Sequence, residues 1–157
     1  MDMNKILMTT YSGVRQEENA AVMALLGEGG LHTTDLSPAN LRDFIVARKG
    51  DAVIGVVGLE MAEEDALLRS LTVASRFRGQ GIAAGLVDAI ERYARSMKVV
   101  TLYLLTVTAA GFFRKQGYET IERKEAPPVL QTTAEFASLC PDTAVCMRKK
   151  LTPSPAG

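Results

Sequence analysis

The segment VASRFRGQGIA, from Val73 to Ala83, constrains the fold of this 157-residue chain more than any other. A β-forming apolar run ends there, and a helical pattern begins after Arg78. Gly79 and Gly81 lack a Cβ, so the turn can adopt left-handed conformations and a ligand can approach its backbone. The first N–H groups of a helix have no partner inside the helix, and they converge at its positive end. The segment therefore predicts a strand, a turn that binds a phosphate-sized anion, and a helix.

This turn differs from two other phosphate-binding turns. It lacks the lysine of a P-loop and the three-glycine spacing that opens a dinucleotide-binding fold. Arg76 and Arg78 add positive charge beside it. The alternative interpretation is a helix start in which glycine only serves the turn.

The rest of the chain predicts a mixed α/β fold. Residues 31–40 are polar and indicate a loop that leads into a short helical turn. The hydrophobic pattern is typical of strands before residue 78 and of an amphipathic helix after it. The predicted strands cover 5–9, 44–48, 52–61, 66–73, 99–107 and 144–147, and the predicted helices cover 17–26, 82–97 and 109–116.

Length and composition indicate one domain over residues 1–157, with 152–157 as a frayed tail. Eighteen basic and eighteen acidic residues balance to zero formal charge, which argues against a nucleic-acid-binding face. No leader or membrane-length apolar run is found, so we expect a cytoplasmic protein that does not bind a membrane. Cys140 and Cys146 lie far from the single histidine, so we expect no metal site and two ordinary, partly buried thiols.

The motif RGQGIA, preceded by LTV, resembles the acetyl-CoA pyrophosphate motif of the GNAT N-acetyltransferases, Q/R-x-x-G-x-G/A. The match rests on Arg78, Gly79, Gly81 and Ala83. The segment FFRKQGY is similar to the aromatic-x-K-x-G-aromatic segment that closes the family's conserved region, so the resemblance runs from about residue 43 to 118. It implies a twisted, largely antiparallel mixed sheet flanked by helices and splayed between strands 4 and 5. It also implies acetyl-CoA as a co-substrate, with no metal.

The resemblance implies where the coenzyme binds. The turn would hold the pyrophosphate, the end of strand 4 would run along the pantetheine, and backbone N–H groups there would stabilise the thioester carbonyl. The coenzyme-binding residues expected on this basis are Leu71, Thr72, Val73, Arg76, Arg78, Gly79, Gln80, Gly81, Ile82, Ala83 and Phe113.

Transfer of an acyl group to an amine requires a base for the amine and a proton for the leaving thiolate. Glu60 at the end of the third strand is the predicted base, although it could be an ordinary exposed carboxylate. Many GNAT members place a proton-donating tyrosine where this chain has Phe113, so Thr106 or solvent would supply the proton. Tyr103 and Tyr118 are further candidates, with core packing as the alternative.

A narrower resemblance concerns the acceptor. The segments LLRSLTV, LYLLTVTAAGFFRKQGY and SLCP are similar to the acetyltransferase domains of N-acetylglutamate synthases and to the N-acetyltransferases of bacterial arsenic-resistance operons. This implies an amino-acid-like amine, glutamate-like or arsenic-bearing, as the acceptor. Arg69 would bind its carboxylate. Ser70 and His32 are further candidate substrate-binding residues, and His32, which could titrate near neutrality, would also suit a base. The alternatives are a surface ion pair for Arg69, a solvated loop position for His32 and simple packing for Cys140.

The function expected from the sequence is direct acetyl transfer to a small-molecule amine, since no nucleophilic Ser or Cys with a paired base is visible. Two alternatives stay open. One is a catalytically silent acyl-CoA-binding sensor, suggested by Phe113. The other is acetylation of protein lysines or N-termini. Homodimer formation is also left open.

Overall fold

The computed structural model describes residues 8–31, 33–139 and 143–152. Within these ranges, seven strands and four α-helices form a mixed α/β arrangement. The strands are β1 (Thr9–Gly13), β2 (Phe44–Lys49), β3 (Ala52–Ala62), β4 (Asp65–Val73), β5 (Thr101–Thr106), β6 (Glu119–Ile121) and β7 (Val145–Lys150). The helices are α1 (Asn19–Glu28), α2 (Ile82–Ser96), α3 (Ala110–Lys115) and α4 (Pro128–Gln131). Short 3₁₀ turns cover Gln16–Glu18, Pro38–Asp43, Ser75–Phe77 and Arg123–Glu125, and a π-helical turn covers Glu135–Leu139.

The seven strands form one sheet in the order β1-β2-β3-β4-β5-β7-β6. Ladders β1–β2, β2–β3, β5–β7 and β6–β7 are antiparallel, whereas β4 and β5 are parallel. The parallel ladder has only three pairs, which join 65–67 to 101–103. Both strands continue past this ladder, β4 to Val73 and β5 to Thr106. The predicted mixed, largely antiparallel sheet flanked by helices is thereby confirmed, and the predicted opening between strands 4 and 5 stays a prediction.

Helix α2 follows the glycine turn and buries one face. Ile82, Leu86 and Ile90 on that face are at most 5% exposed. The helix ends where Lys98 adopts a left-handed conformation, with φ of 64°. The amide of Val99 then donates to the carbonyl of Ala94, which closes the last turn. The amphipathic pattern predicted a helix over 82–97 with one apolar face. The structure has the helix over Ile82–Ser96, and that face is buried.

The chain divides into two compact units, Met1–Gly58 with Ser70–Ile90, and Leu59–Arg69 with Glu91–Gly157. The core of the first unit lies between α1, β2 and β3. Its buried members are Val22, Leu25, Leu26, Leu41, Phe44, Val46 and Val56. The prediction of a single domain over 1–157 stays a prediction.

The core of the second unit brings β5 and β7 together with α4 and the π-helical turn. Its buried members are Ala62, Leu67, Tyr103, Ala126, Leu130, Phe136 and Cys146. The free thiol of Cys146 is buried, as expected, and burial raises its pKa to about 11. Cys140 lies outside the described residues.

Two strand predictions need correction. The first strand covers Thr9–Gly13, so the predicted span 5–9 meets it only at Thr9; residues 5–7 lie outside the described part of the chain. Its sequence, TTYSG, has few apolar residues and so did not indicate a strand. β1 lies at the edge of the sheet and pairs with β2 alone, where less burial is required. Strand β6 was not predicted, since three residues are too few to show alternation. No helix among the described residues is long and apolar enough to span a bilayer.

Candidate active site

The glycine turn after β4 has the geometry of an anion-binding turn. Gly79 and Gly81 have φ of 80° and 82°, in the left-handed region that favours glycine. A Cβ built on either residue would meet no atom within 4 Å, so the space above the turn is open. Gly85 donates its amide to the carbonyl of Gly81, which marks the first hydrogen bond of α2. The preceding amides are therefore directed out of the helix start, and these residues fit a pyrophosphate group.

The end of β4 is held against the turn that follows it. Arg78 donates from Nε to the carbonyl of Val73 at 3.0 Å, and Ala74 donates its amide to Ile54 at 2.8 Å. Arg78 therefore has a structural contact through Nε in addition to any contact with a ligand. Its side chain fixes the path of the backbone between strand and turn.

Thr72 on the same strand contacts the end of α1. A Cβ built on Gly29 would lie 2.6 Å from Thr72 Oγ1, so this close approach requires glycine. Leu71 and Thr72 are half-buried and Val73 is buried. Because side chains alternate along a strand, Leu71 and Val73 point to the opposite side of the sheet from Thr72.

Ser70 interrupts the regular geometry of β4. Its φ of 61° is left-handed, which is unusual for a residue with a Cβ inside a strand. Such a conformation is typical of a β-bulge, where the backbone amide turns away from its ladder. Ser70 immediately precedes the residues expected along the pantetheine.

A third cation near the turn was missed by sequence reasoning. Lys49 at the end of β2 lies with Nζ 5.8 Å from the ring centroid of Phe77, and Arg76 lies with Cζ 5.1 Å from the same ring. Lys49 is 29 residues from Arg78 in the sequence and ends an ordinary strand, so no local pattern indicated it.

The predicted base and the predicted carboxylate partner are in direct contact. Arg69 donates from Nη1 to Glu60 Oε1 at 3.2 Å, and its Nη2 lies 2.9 Å from Glu135 Oε1. The side chains are 3%, 33% and 12% exposed for Arg69, Glu60 and Glu135 respectively. Arg69 is therefore a buried cation between two carboxylates and not part of a surface ion pair. Glu60 is the most accessible member of the three.

The candidates for proton donation are mostly engaged in other contacts. Thr106 Oγ1 accepts the amide of Ala109 at 3.0 Å, which helps to begin α3. Phe113 is buried, edge-on to Phe112 and Tyr118 with centroids 5.1 Å and 5.5 Å away. Burial of Tyr103, followed by the charge of Asp65, raises its pKa.

Tyr118 donates its hydroxyl to Glu91 Oε2 at 3.0 Å. Burial, with the nearby Glu91 carboxylate, raises the pKa of Tyr118 far above its usual value. Lys149 Nζ in turn contacts Glu91 Oε1 at 2.9 Å and the carbonyl of Gln116 at 2.8 Å. This buried network joins α2, β7 and the segment after α3, and it favours the packing interpretation of Tyr118.

The predicted site residues thus fall into two described groups. The glycine turn and the end of β4, residues 70–83, belong to one compact unit. Glu60, Arg69, Thr106 and Phe113 belong to the other. His32 lies outside the described residues. No group of three or more potential metal ligands occurs within the described ranges.

A mixed sheet with a short parallel β4–β5 ladder and an anion-type glycine turn after β4 is the architecture expected of a GNAT-like acyltransferase. Residues 40–120, just over half of the chain, match the acetyltransferase (GNAT) domain family. The chain is also 32% identical over 108 residues to an uncharacterized N-acetyltransferase, CT2212, of Chlorobaculum tepidum, and the match covers 68% of this chain and 67% of that protein. The chain therefore belongs to the GNAT acetyltransferase family. The expectation of an acetyltransferase domain that uses acetyl-CoA is confirmed at the level of the family.

Solved structures share the fold. N-acetylglutamate synthase from Neisseria gonorrhoeae, complexed with coenzyme A and N-acetyl-glutamate, matches with a TM-score of 0.80 and 17% identity over 92% of this chain. The match covers 35% of the synthase, so the chain spans about a third of that protein. Rv2747 from Mycobacterium tuberculosis, in complex with CoA and NLQ, matches with a TM-score of 0.77 and 19% identity over 91% of this chain and 99% of that one.

Proposed function

We propose that the protein transfers an acetyl group from acetyl-CoA directly to the amine of a small amino-acid-like acceptor, glutamate-like or arsenic-bearing. The observation that carries this proposal is the contact between Glu60 and Arg69. An amino acid presents an ammonium and a carboxylate a few bonds apart, and a carboxylate and a guanidinium 3.2 Å apart offer the opposite charges. The Neisseria synthase, which was solved with N-acetyl-glutamate, supports an acceptor of this class.

The proposed coenzyme site consists of backbone groups more than side chains. Amides at the start of α2 bind the pyrophosphate, and the open space above Gly79 and Gly81 admits it. Backbone amides near Leu71 and Val73 donate to the thioester carbonyl, whose oxygen gains negative charge as the amine attacks. Leu71, Thr72 and Val73 follow the pantetheine, and Arg76 supplies positive charge near the phosphates.

The proposed proton path begins at Glu60. This carboxylate removes a proton from the acceptor's ammonium, and its 33% exposure lets the proton pass on to water. Thr106 or solvent returns a proton to the leaving thiolate. A free thiol has a pKa of about 8.5, so this second step does not require a strong acid.

The test of the function is an acceptor panel with acetyl-CoA. It contains glutamate, its amides, an arsenic-bearing glutamate analogue, simple amines and a lysine peptide, with thiol release measured by absorbance and products by mass. We expect turnover with amino-acid acceptors. Turnover with the peptide alone would favour a protein acetyltransferase. Tight coenzyme binding without turnover would favour the silent sensor and contradict the proposal.

The test of the base is Glu60→Gln. We expect kcat to fall by about a hundredfold, since removal of a general base costs this much or more. Glu63→Gln is the matched control, because Glu63 is an exposed residue in the turn after β3. Thermal unfolding of both variants shows whether the Arg69 contact affects stability. An unchanged kcat for Glu60→Gln would assign proton removal to water or to another group.

A further inference from the structure

Glu135 is a second carboxylate in contact with the buried guanidinium of Arg69. Its carboxylate oxygen lies 2.9 Å from Nη2, compared with 3.2 Å between Nη1 and Glu60. Its side chain is 12% exposed and that of Glu60 is 33% exposed. Of these two carboxylates, Glu135 is therefore the more buried partner of Arg69 and Glu60 the more accessible one.

This contact affects how Arg69 can bind an acceptor. A guanidinium binds an external carboxylate most strongly through two parallel N–H groups of its planar fork. One terminal nitrogen of Arg69 already contacts Glu135 and the other contacts Glu60. An acceptor carboxylate that approaches this guanidinium therefore meets the negative charge of two carboxylates and competes with them for its N–H groups.

We infer that Glu135 determines acceptor selectivity by competing with the acceptor's carboxylate for Arg69. The inference rests on the proposed function, because it assumes that Arg69 faces the acceptor. In this arrangement, the internal carboxylate weakens binding of carboxylate-bearing acceptors relative to amines that lack the carboxylate.

The surroundings of Glu135 allow this exchange without unfolding. Phe136, the next residue, is 8% exposed and belongs to the core of its unit. Thr133 donates its hydroxyl to the carbonyl of Leu130 at 2.7 Å, and Ala137 donates its amide to the carbonyl of Thr133 at 2.8 Å. Because these bonds hold the neighbouring backbone, an exchange at Nη2 would involve the side chain of Glu135 and not an unfolding of the turn.

The test is Glu135→Gln, which keeps the length of the side chain and a hydrogen-bond acceptor but removes the charge. We expect the KM for glutamate to fall about tenfold, the effect of one charge-assisted hydrogen bond. We expect kcat to stay within about twofold. The KM for the matched amine in which amides replace both carboxylates should not change. Glu122→Gln is the control, since this glutamate of the same unit is 71% exposed.

A structural role alone would give a different result. If Glu135 only stabilises the fold, Glu135→Gln lowers Tm and leaves the ratio of the two KM values unchanged, and the inference is wrong. An equal change in both KM values would overturn it as well. In the double variant Glu135→Gln with Arg69→Met, the preference for glutamate gained in Glu135→Gln must disappear.

A second readout separates this inference from the proposed function. If the wild-type chain releases no thiol with any acceptor, the proposed function fails. The rise in Tm that glutamate causes in the CoA-bound protein then measures acceptor binding without turnover. A larger rise for Glu135→Gln than for the wild type supports the competition, and equal rises refute it.

Discussion

Gly81→Ala tests the coenzyme turn with the smallest possible change. Gly81 has φ of 82°, and a Cβ there meets no atom within 4 Å. The added methyl group therefore causes no clash in the free protein, and its only cost is the left-handed backbone. The left-handed backbone costs alanine about 1–2 kcal/mol. A few tenths of a kcal/mol are regained because alanine lowers the conformational entropy of the unfolded chain. We expect a loss of about 1 kcal/mol in unfolding free energy, or about 2–4 °C in Tm for a chain of this size.

Gly30→Ala is a matched control for this strain. Gly30 has φ of 69°, and a Cβ there also meets nothing within 4 Å. Both variants should lose similar stability, but only Gly81→Ala places a methyl group where we propose that the pyrophosphate contacts the backbone. The loss of one or two charge-assisted hydrogen bonds, at about 1.5 kcal/mol each, predicts a Kd for CoA that is about 10- to 100-fold higher.

The measurements are equilibrium titration of CoA and thermal unfolding of wild type and both variants. Equal Kd values for Gly81→Ala and Gly30→Ala would refute the proposed pyrophosphate site, whatever the effect on Tm. The proposed site would also be refuted if both variants lost affinity for CoA in proportion to their loss of stability. Only a loss confined to Gly81→Ala supports a ligand at this turn.

Two further predictions concern the first compact unit. Glu18 and Arg48 form a buried ion pair at 2.6 Å, so Glu18→Ala should cost about 3–5 kcal/mol in chemical denaturation at pH 7. The hydrogen bond from Arg48 lowers the pKa of Glu18 in the folded protein. The stability that this ion pair contributes is therefore fully present above the unfolded-state pKa of about 4.3, and it is lost as the pH falls through the lower pKa of the folded state. An identical dependence of stability on acid pH in wild type and variant would contradict this prediction. Gly85→Ala should destabilise the protein by about 1–3 kcal/mol in spite of better helix propensity, because the new Cβ overlaps the Tyr11 ring. Tyr11→Ala should restore much of this loss, and additive effects of the two changes would argue against the overlap.

The parts of the site that the sequence predicted are local in the chain. The turn at Gly79 and Gly81 depends on residues within one short segment, because glycine conformations and the start of a helix are set by near neighbours. The same holds for α2, whose apolar period alone gave its span. Strands of the central sheet were predicted because burial makes their sequences continuously apolar.

The parts that could not be predicted depend on contacts between distant segments. Glu135 contacts Arg69 across 66 residues, and Lys49 reaches Phe77 from a neighbouring part of the sheet. A glutamate or a lysine in a sequence is most often exposed, so nothing local indicates which one is buried with a partner. The short strand β6 and the π-helical turn were missed for a similar reason, since tertiary packing and not local propensity forms them.

The buried charge around Arg69 also determines which substitutions can reveal its function. Arg69→Met would leave Glu135 at 12% exposure without its cation, and a buried charge that loses its partner destabilises a protein by about 3–5 kcal/mol. Loss of activity in that variant would therefore not distinguish a missing acceptor contact from a disturbed fold. Neutralising Glu135 instead keeps Arg69 paired with Glu60 and removes one carboxylate charge that competes for the guanidinium. Since the three side chains come from β3, β4 and the π-helical turn, the acceptor preference of the Glu135 variant, and not its activity alone, is the measurement that assigns a role to Arg69.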